Sequence, residues 1–367
     1  MREKIQRPIS NIAKKLFMFR TSKLMRAAKQ ADISWKLISS GGQSSLEYTR
    51  KAKKVLVSKK HNDTRARDAM ANVCKCLISN GAEVMIDVND PDASLYKELT
   101  PIKCDMAPAL VDFVVCLGGD GTVLRTVGWI GECVQSDVRS IPPILAFGLG
   151  SLGFLAPFSI SDHQAILRGI LESEVPHAMT LRSRLKCEVF QPGKTEPFVI
   201  RRVLNECLIA RGSHSAFQHL DCEIDGMKVA QFQADGLIVA TPSGSSAYSM
   251  AAGGPLVAPT VPSILLTPVA PHALSARPLV LPSTCEIEVK VPKHARSCPI
   301  VSFDGHHELV LERESRVRIT QSTSSVPFFR LSPEFLGSTS TGGASADWFV
   351  SLRSKLLWAK EVRKPAL

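Results

Sequence analysis

Short apolar runs alternate with helical segments from residue 53 onward. Val55 to Ser58 predicts a strand, and Glu83 to Val88 predicts a second one. Between them, apolar residues recur at helical spacing from Ala66 to Leu77, after Asp63, which can cap a helix, and before an Asn80-Gly81 stop. Such a β-α-β unit is typical of a parallel sheet with helices on its faces.

A second unit of the same kind follows the first. Val111 to Leu117 predicts a strand that is apolar except for Asp112, and it ends in the sequence Gly-Gly-Asp-Gly-Thr. Val123 to Ile130 predicts the next helix, and Ile144 to Phe147 predicts the next strand. Together the two units predict a Rossmann-like parallel α/β domain.

After about residue 178 the pattern becomes one of strands separated by turn residues, which predicts a β-sandwich-type domain. Examples of these strands are Leu185 to Phe190, Glu286 to Val291 and Arg316 to Thr320. Leu220 to Ile224 and Met227 to Phe232 flank Asp225-Gly226. Because Asp-Gly supplies the positive φ angles of a tight hairpin turn, these two runs predict a β-hairpin.

The change of pattern divides the chain into four segments. We predict a basic arm over residues 1–50, an α/β domain over 51–178, a β-rich domain over 179–330, and a loop with a C-terminal helix over 331–367. The loop prediction rests on the Ser, Thr, Gly and Pro content of residues 322–346, and the helix prediction rests on the spacing from Asp347 to Lys360.

Composition excludes two classes of protein. The 367 residues are 44% hydrophobic and 22% charged, so the chain can bury a large core and is not disordered throughout. The most apolar stretch, Ser263 to Ala276, is interrupted by Pro268, Pro271 and His272, so we expect no membrane insertion. The ten cysteines are scattered, and those in apolar runs predict reduced, buried thiols and no zinc site.

The formal net charge of +11 is concentrated near the N-terminus. Residues 1–46 contain ten basic and two acidic residues, a net charge of +8, so the rest of the chain is nearly neutral and a nucleic-acid partner is not expected. The arm is either a disordered, solvated segment or an organellar targeting segment. We therefore expect a cytoplasmic protein, with the mitochondrial matrix as the alternative.

The Gly-rich turn after the strand at Val111 to Leu117 favours phosphate binding. Gly118, Gly119 and Gly121 let the backbone approach a ligand closely, and the start of the following helix contributes partial positive charge. Asp120 is unexpected there because a carboxylate repels phosphate unless it accepts a proton or holds a cation. The alternative is that Asp120 only shapes the turn or caps the helix.

Three further segments are candidate ligand contacts. Gly148 to Leu155 is a second Gly-rich loop at the end of a predicted strand, where ligands gather in open α/β sheets. Asn205-Glu206 interrupts an apolar run, and such a pair suits an adenine amino group or a ribose hydroxyl unless it faces solvent at a strand end. Ala234 to Ser249 is an apolar strand followed by a hydroxyl-rich loop, which is either a contact surface or a simple polar turn.

Taken together and in order, these motifs resemble the NAD kinase family. The motifs are Gly-Gly-Asp-Gly-Thr, Leu-Gly-Phe-Leu, Asn-Glu, Asp-Gly and Thr-Pro-Ser-Gly-Ser-Ser-Ala-Tyr, and the likeness covers about residues 53–360. Gly-Gly-Asp-Gly-Thr is shared with lipid kinases of the diacylglycerol and sphingosine type, whereas the Asn-Glu and Ser-Ser-Ala-Tyr blocks resemble NAD kinases. The resemblance implies an active site between the α/β and β domains. Gly148 and Gln233 depart from the family pattern.

The resemblance also implies a role for each matching residue. Asp120 would be the base that activates the 2'-hydroxyl of NAD. The other matching residues would bind nucleotide: Gly118, Gly119, Gly121 and Thr122 as the phosphate cradle, Asn205, Glu206 and Asp235 on the adenosine and nicotinamide portions, and Ser246, Ala247, Tyr248 and Ser249 at the adenine pocket.

The function expected from the resemblance is phosphorylation of NAD, or NADH, to NADP with ATP or another phosphoryl donor. Mg²⁺ or another divalent cation would accompany the donor, and its protein ligands are not identifiable from the sequence. A homo-oligomer, either dimer or tetramer, is implied. The alternatives are a lipid kinase and a non-catalytic NAD-binding regulator, and the presence of Asp120 argues against the regulator.

Overall fold

The computed structural model describes residues 35–40, 43–48, 52–103, 106–132, 141–150, 153–172, 177–212, 217–330 and 346–356. Within the segment predicted as a basic arm, residues 35–40 and 43–48 form two paired strands. The prediction of either a solvated or a targeting arm concerns mainly residues 1–34, which lie outside the described residues.

The first half of the chain forms a mixed sheet flanked by helices. Its elements are β1 (Trp35–Ser40), β2 (Gln43–Tyr48), β3 (Lys54–Lys59), α1 (Thr64–Ser79), β4 (Glu83–Asp87), β5 (Thr100–Ile102), α2 (Ala107–Leu110), β6 (Phe113–Leu117), α3 (Asp120–Glu132), β7 (Ile144–Gly148), β8 (Phe158–Ser159), α4 (His163–Glu172) and β9 (His177–Arg182). Two short 3-10 helices span Ala93–Leu95 and Ile160–Asp162. A tenth strand, β22 (Val326–Phe329), joins this sheet from near the end of the chain.

The strand order is β1-β2-β9-β22-β7-β6-β3-β4-β5, with β8 beside β7. The strands from β22 to β5 pair in parallel, whereas β1, β2 and β9 add an antiparallel edge. Buried residues of α1 and α4 pack on one face, and Val123, Val127 and Ile130 of α3 pack on the other. The predicted parallel α/β domain is therefore confirmed, with helices on both faces as buried parallel strands require.

Local signals placed the first helix correctly. Asp63 caps α1 and accepts a hydrogen bond from the backbone N–H of Arg65 at 3.0 Å. Asn80 ends the helix, and Gly81 follows with φ +78°, a conformation that favours glycine.

The second half of the chain forms two antiparallel six-stranded sheets. Its elements are β10 (Leu185–Phe190), β11 (Val199–Val203), β12 (Glu206–Ala210), β13 (Gln218–Ile224), β14 (Met227–Ala234), β15 (Gly236–Ala240), α5 (Tyr248–Ala251), β16 (Ser263–Val269), β17 (Leu279–Pro282), β18 (Ile287–Lys290), β19 (Ile300–Phe303), β20 (His306–Val310) and β21 (Arg316–Gln321). A 3-10 helix spans Ser243–Ser246, and α6 (Ala346–Leu356) ends the described chain.

One sheet has the order β11-β10-β21-β18-β13-β14 and the other β17-β16-β15-β12-β19-β20. Inward-facing side chains of both sheets share one core, as in a sandwich. The predicted hairpin at Asp225-Gly226 is confirmed, with φ of +51° and +77° at the two turn residues. Cys116, Cys207 and Cys222 are buried free thiols, as predicted.

The domain divisions drawn from the sequence do not coincide with the sheets. The predicted boundary after residue 178 falls inside β9, and β22 belongs to the first sheet although it lies within residues 179–330. Phe328 of β22 pairs with Thr180 of β9 and with Ile144 of β7. An apolar strand has the same sequence pattern in either sheet. Only its pairing with other strands shows to which sheet it belongs.

None of the described helices is long and apolar enough to cross a membrane.

Candidate functional site

The turn between β6 and α3 presents Asp120 at the first position of the helix. A Cβ added at Gly118 would overlap the Thr122 hydroxyl, which is why the chain needs glycine there. Gly119 and Gly121 have open space where a Cβ would stand. The turn therefore leaves room for a ligand beside the start of α3, where partial positive charge favours phosphate.

The second Gly-rich loop holds the Asp120 carboxylate. The backbone N–H groups of Phe154 and Leu155 each donate a hydrogen bond to it at 3.0 Å. Gly153 lies so close that a Cβ at this position would overlap Asp120 Oδ1. Lys355 Nζ of α6 lies 3.7 Å from Asp120 Oδ2. Asp120 is thus oriented by groups from two distant segments, rather than only shaping its own turn.

A cavity of about 690 Å³ opens in front of this carboxylate. Four of the predicted site residues line it: Asp120, Asn205, Ser246 and Ala247. Its other lining residues are Phe154, Leu155, Ser243, Met250, Lys355 and Leu356. The wall of the cavity therefore contains residues of the α/β domain, the sandwich and α6. This agrees with the active site expected between the two domains.

The turn between β11 and β12 brings Asn205 and Glu206 to this region. The Asp304 carboxylate, on the turn between β19 and β20, accepts hydrogen bonds from the backbone N–H groups of Leu204, Asn205 and Glu206 at 2.7, 2.8 and 3.0 Å. Asp304 has φ +51° and Gly305 has φ +74°. One tight turn thus holds another in place.

Two buried oxygens in the β11–β12 turn have no hydrogen-bond donor among the described residues. They are Asn205 Oδ1 and Glu206 Oε2. Burial, followed by the nearby Asp304 carboxylate, raises the pKa of Glu206 to about 8. Burial also raises the pKa of Asp304 to about 6, although three backbone N–H bonds oppose that rise. Buried acceptors of this kind are suited to hydroxyl or amino groups of a ligand.

The hydroxyl-rich loop after β15 packs directly on the same turn. A Cβ at Gly244 would overlap the Asn205 carbonyl oxygen. Thr241 Oγ1 donates to the Leu204 carbonyl at 2.6 Å and accepts from the Gly244 N–H at 3.1 Å. These close contacts place Ser243, Ser246 and Ala247 in the cavity wall.

Arg182, the last residue of β9, links the two domains at the cavity. Its guanidinium donates to the Ser243 hydroxyl at 3.2 Å and to the Phe154 carbonyl at 3.1 Å. This buried arginine was not predicted as a site residue because no local motif surrounds it.

Several predicted residues are not in the cavity wall. Ser249 is fully buried and shares a 2.9 Å hydrogen bond with Thr267, so its contacts are structural. Tyr248 begins α5, next to Ala247, and is 43% exposed. Asp235 precedes β15, at the end of the strand opposite the cavity, and forms an ion pair with Arg211 at 3.1 Å.

Sequence reasoning also missed residues that the structure places in the wall. Ser243 and Met250 flank the predicted adenine-pocket residues, so their proximity in the sequence was a usable signal. Lys355 and Leu356 are 235 or more residues from Asp120, and no pattern in the helical segment marked them.

Comparison with known proteins gives a consistent family. A model described as the ATP-NAD kinase N-terminal domain matches residues 9–175, and one described as the ATP-NAD kinase C-terminal domain matches residues 204–331. The crystal structure of yeast NADH kinase complexed with NADH superposes with a TM-score of 0.77 at 26% sequence identity, over 90% of this chain and 96% of that chain.

Curated relatives carry the same family name. Probable NAD kinase 2, chloroplastic, of Oryza sativa subsp. japonica is 39% identical over 259 residues, which are 70% of this chain and 25% of the relative. NAD(+) kinase of Saccharomyces cerevisiae is 39% identical over 243 residues, which are 62% of this chain and 44% of the relative. The chain spans less than half the length of either relative. Since two models of one family together match more than half of its residues, the chain belongs to the ATP-NAD kinase family.

Proposed function

We propose that this chain transfers the terminal phosphoryl group of ATP to the 2'-hydroxyl of NAD and so makes NADP. The observation that carries the proposal is the oriented Asp120 carboxylate in the wall of a cavity that Asn205 also lines. Family membership supports the same reaction, since relatives are named NAD kinase and NADH kinase.

In this reaction Asp120 accepts the proton of the 2'-hydroxyl as its oxygen attacks the terminal phosphorus. The bond between that phosphorus and the bridging oxygen breaks, and ADP leaves with the electron pair. Phosphoryl transfer requires little covalent work from a protein, so alignment and one base account for most of what these residues contribute. The hydrogen bonds from Phe154 and Leu155 supply the alignment of the base.

Asn205 and Glu206 are the proposed contacts for the adenosine part of NAD. Their buried oxygens lack donors among the described residues, and an adenine amino group or a ribose hydroxyl would supply them. Ser246 and Ala247 line the cavity together with Asn205 and complete the proposed adenosine site, whereas Glu206 follows Asn205 in the chain and is not part of the cavity wall. Gly118, Gly119, Gly121 and Thr122 remain the proposed phosphate cradle.

Asp235 lies at the end of β15 opposite the cavity, outside the wall that this chain forms. Its contact with the dinucleotide, like the homo-oligomer, is proposed from family membership alone.

A divalent cation such as Mg²⁺ would neutralise charge on the donor phosphates when bound. Asp120 is the one carboxylate among the described cavity residues, and both of its oxygens already accept hydrogen bonds. Within the described ranges, no group of three His, Cys, Asp or Glu residues could hold a metal ion. These residues therefore fit a cation that is held mainly by the phosphates.

For the compartment we propose the cytoplasm, with the mitochondrial matrix as the alternative. Relatives include a mitochondrial NADH kinase and chloroplastic NAD kinases. A fluorescent fusion of residues 1–50 tests the alternative, since a diffuse signal would reject targeting by this segment.

The test of function is NADP formation from ATP, Mg²⁺ and either NAD or NADH, measured on the purified protein and on Asp120→Asn. The variant keeps the size of the side chain but loses the proton acceptor, so we expect kcat to fall by about 10² to 10⁴, the range for loss of a general base. Asp68→Asn, which alters an exposed carboxylate on α1, is the control.

Each outcome separates the rival functions. An Asp120→Asn variant that is folded by thermal melt and has kcat within about threefold of the parent would remove Asp120 from the reaction. NAD binding without turnover by the parent would favour a regulator. Phosphorylation of a lipid instead of NAD would favour a lipid kinase.

A further inference from the structure

The C-terminal helix α6 closes one side of the cavity. Trp348 and Leu352 pack against Phe154, and both are buried. Ser351 donates a hydrogen bond to the Gly153 carbonyl at 3.2 Å. The helix is therefore fixed to the same loop that orients Asp120.

The packing of α6 on this loop places one positively charged side chain, that of Lys355, in the cavity wall. Lys355 Nζ lies 3.7 Å from Asp120 Oδ2 and 5.2 Å from the centre of the Phe154 ring. Its side chain is 28% exposed, and among the described residues of the cavity wall it alone carries a positive charge. The ammonium therefore lies beside the proposed base and within reach of a ligand.

The ion pair with Asp120 does not by itself explain this position. A partly exposed pair at such a distance contributes little to stability. Asp120 is already oriented by two backbone N–H groups at 3.0 Å. The cavity is where charge would build up on phosphate oxygens, and a compact ammonium is a common phosphate ligand.

We propose that Lys355 is a catalytic residue that binds the phosphoryl group during its transfer and the 2'-phosphate of the product. This inference rests on the proposed function. As the 2'-oxygen bonds to phosphorus and ADP leaves, Asp120 takes the hydroxyl proton. The Lys355 ammonium contacts an equatorial phosphate oxygen, so it stabilises the transition state more than the bound NAD.

The most direct test is binding without turnover. Dissociation constants of NADP and NAD are measured by calorimetry for the parent, Lys355→Met and Lys355→Arg. Methionine keeps the length and packing of the side chain but removes the charge. We expect Lys355→Met to weaken NADP binding by about 10- to 100-fold, as loss of a charged hydrogen bond predicts, and to change NAD binding by less than about threefold. Lys355→Arg should retain most of the NADP affinity.

Steady-state kinetics provides the second readout. Lys355→Met should lower kcat by about 10- to 100-fold, with little change in KM for NAD, and Lys355→Arg should recover part of the loss. Arg353→Met removes an exposed cation two residues away on the same helix, and it should match the parent in both assays.

The outcomes distinguish the inference from the function on which it rests. A parent protein that makes no NADP overturns the proposed function. If the parent makes NADP and Lys355→Met matches it in kcat and NADP affinity, the function stands and the role of Lys355 is wrong. Equal losses of NAD and NADP affinity would also overturn the inference, because they would indicate only a displaced α6.

Discussion

At the residue scale, the contact between Gly153 and Asp120 is the tightest feature of the site. A Cβ at Gly153 would overlap Asp120 Oδ1 and would lie 3.1 Å from the Ala156 nitrogen. Gly153→Ala should therefore displace the carboxylate and lower kcat by about 10- to 100-fold, since small misplacements of a catalytic group have effects of this size. Steady-state NADP formation measures the loss.

Gly150→Ala is the matched control for this substitution. Gly150 lies in the same Gly-rich loop, and a Cβ there would meet no atom within 4 Å. We expect it to keep the kcat of the parent. Equal kcat values for the two variants would show that the loop moves away without disturbing Asp120.

Glu206 makes stability depend on pH. Its pKa is raised to about 8 in the folded protein, so the folded state holds a proton that the unfolded state releases at lower pH. Stability contributed by this proton is complete below the unfolded pKa and is lost as pH rises toward 8. Glu206→Gln cannot titrate, so its free energy of unfolding relative to the parent should rise by about 2–4 kcal/mol between pH 5 and pH 8.

Chemical denaturation at the two pH values measures this difference. Glu308→Gln, at an exposed position on β20, should follow the parent at both. Parallel stability curves for Glu206→Gln and the parent would mean that Glu206 ionises normally in the folded protein.

At the scale of elements, two Asp-Gly turns with the same backbone conformation have different tasks. Asp225 has φ +51° and accepts one exposed hydrogen bond, from the Glu286 N–H at 2.8 Å. Asp304 has the same φ and accepts three hydrogen bonds from the turn that positions Asn205 and Glu206. The first turn joins two strands and contacts the segment before β18 at the surface, whereas the second turn supports the site.

Substituting asparagine in both turns separates these tasks, because asparagine tolerates positive φ. Asp304→Asn should lower the free energy of unfolding by about 2–3 kcal/mol, since it weakens charged hydrogen bonds and turns an amide toward backbone donors. It should also raise KM for NAD. Asp225→Asn should cost less than about 1 kcal/mol and leave KM unchanged. Similar losses of stability in urea titrations would show that Asp304 does not hold the β11–β12 turn.

Elements that local chemistry determines were predicted well. Asp63 and Asn80-Gly81 delimit α1, and Asp225-Gly226 closes a hairpin, because each signal acts over a few residues. Pairings between distant segments were not predictable. Lys355 reaches Asp120 only because Trp348 docks on Phe154, and nothing in the spacing of α6 specifies that partner.

At the scale of the whole molecule, β22 connects the two domains. Phe328 is buried, belongs to the core of the first sheet beneath α3, and lies under the Arg182 guanidinium at 5.2 Å. Phe328→Ala should lower the free energy of unfolding by about 3–5 kcal/mol, as expected for a buried aromatic residue. Because β22 follows the sandwich directly, hydrogen exchange should increase in both β6 and β12.

Phe198→Ala, at a 48% exposed position in the sandwich, is the control and should leave exchange unchanged. Faster exchange confined to β6 and β7 in Phe328→Ala would show that the two domains unfold independently.

The pairing of β9 with β22 also describes how the chain is assembled from parts. Arg182 and Val326 face each other across the two antiparallel strands, at the point where an ordinary hairpin would have its turn. Residues 183–325, the sandwich, occupy the place of that turn, so the α/β domain is a host and the sandwich is a guest inserted into it. The host contributes Asp120 and the guest contributes Asn205. Arg182 lies where the chain enters the guest, and it donates hydrogen bonds to Phe154 of the host and to Ser243 of the guest. The cavity therefore lies where the guest meets its host.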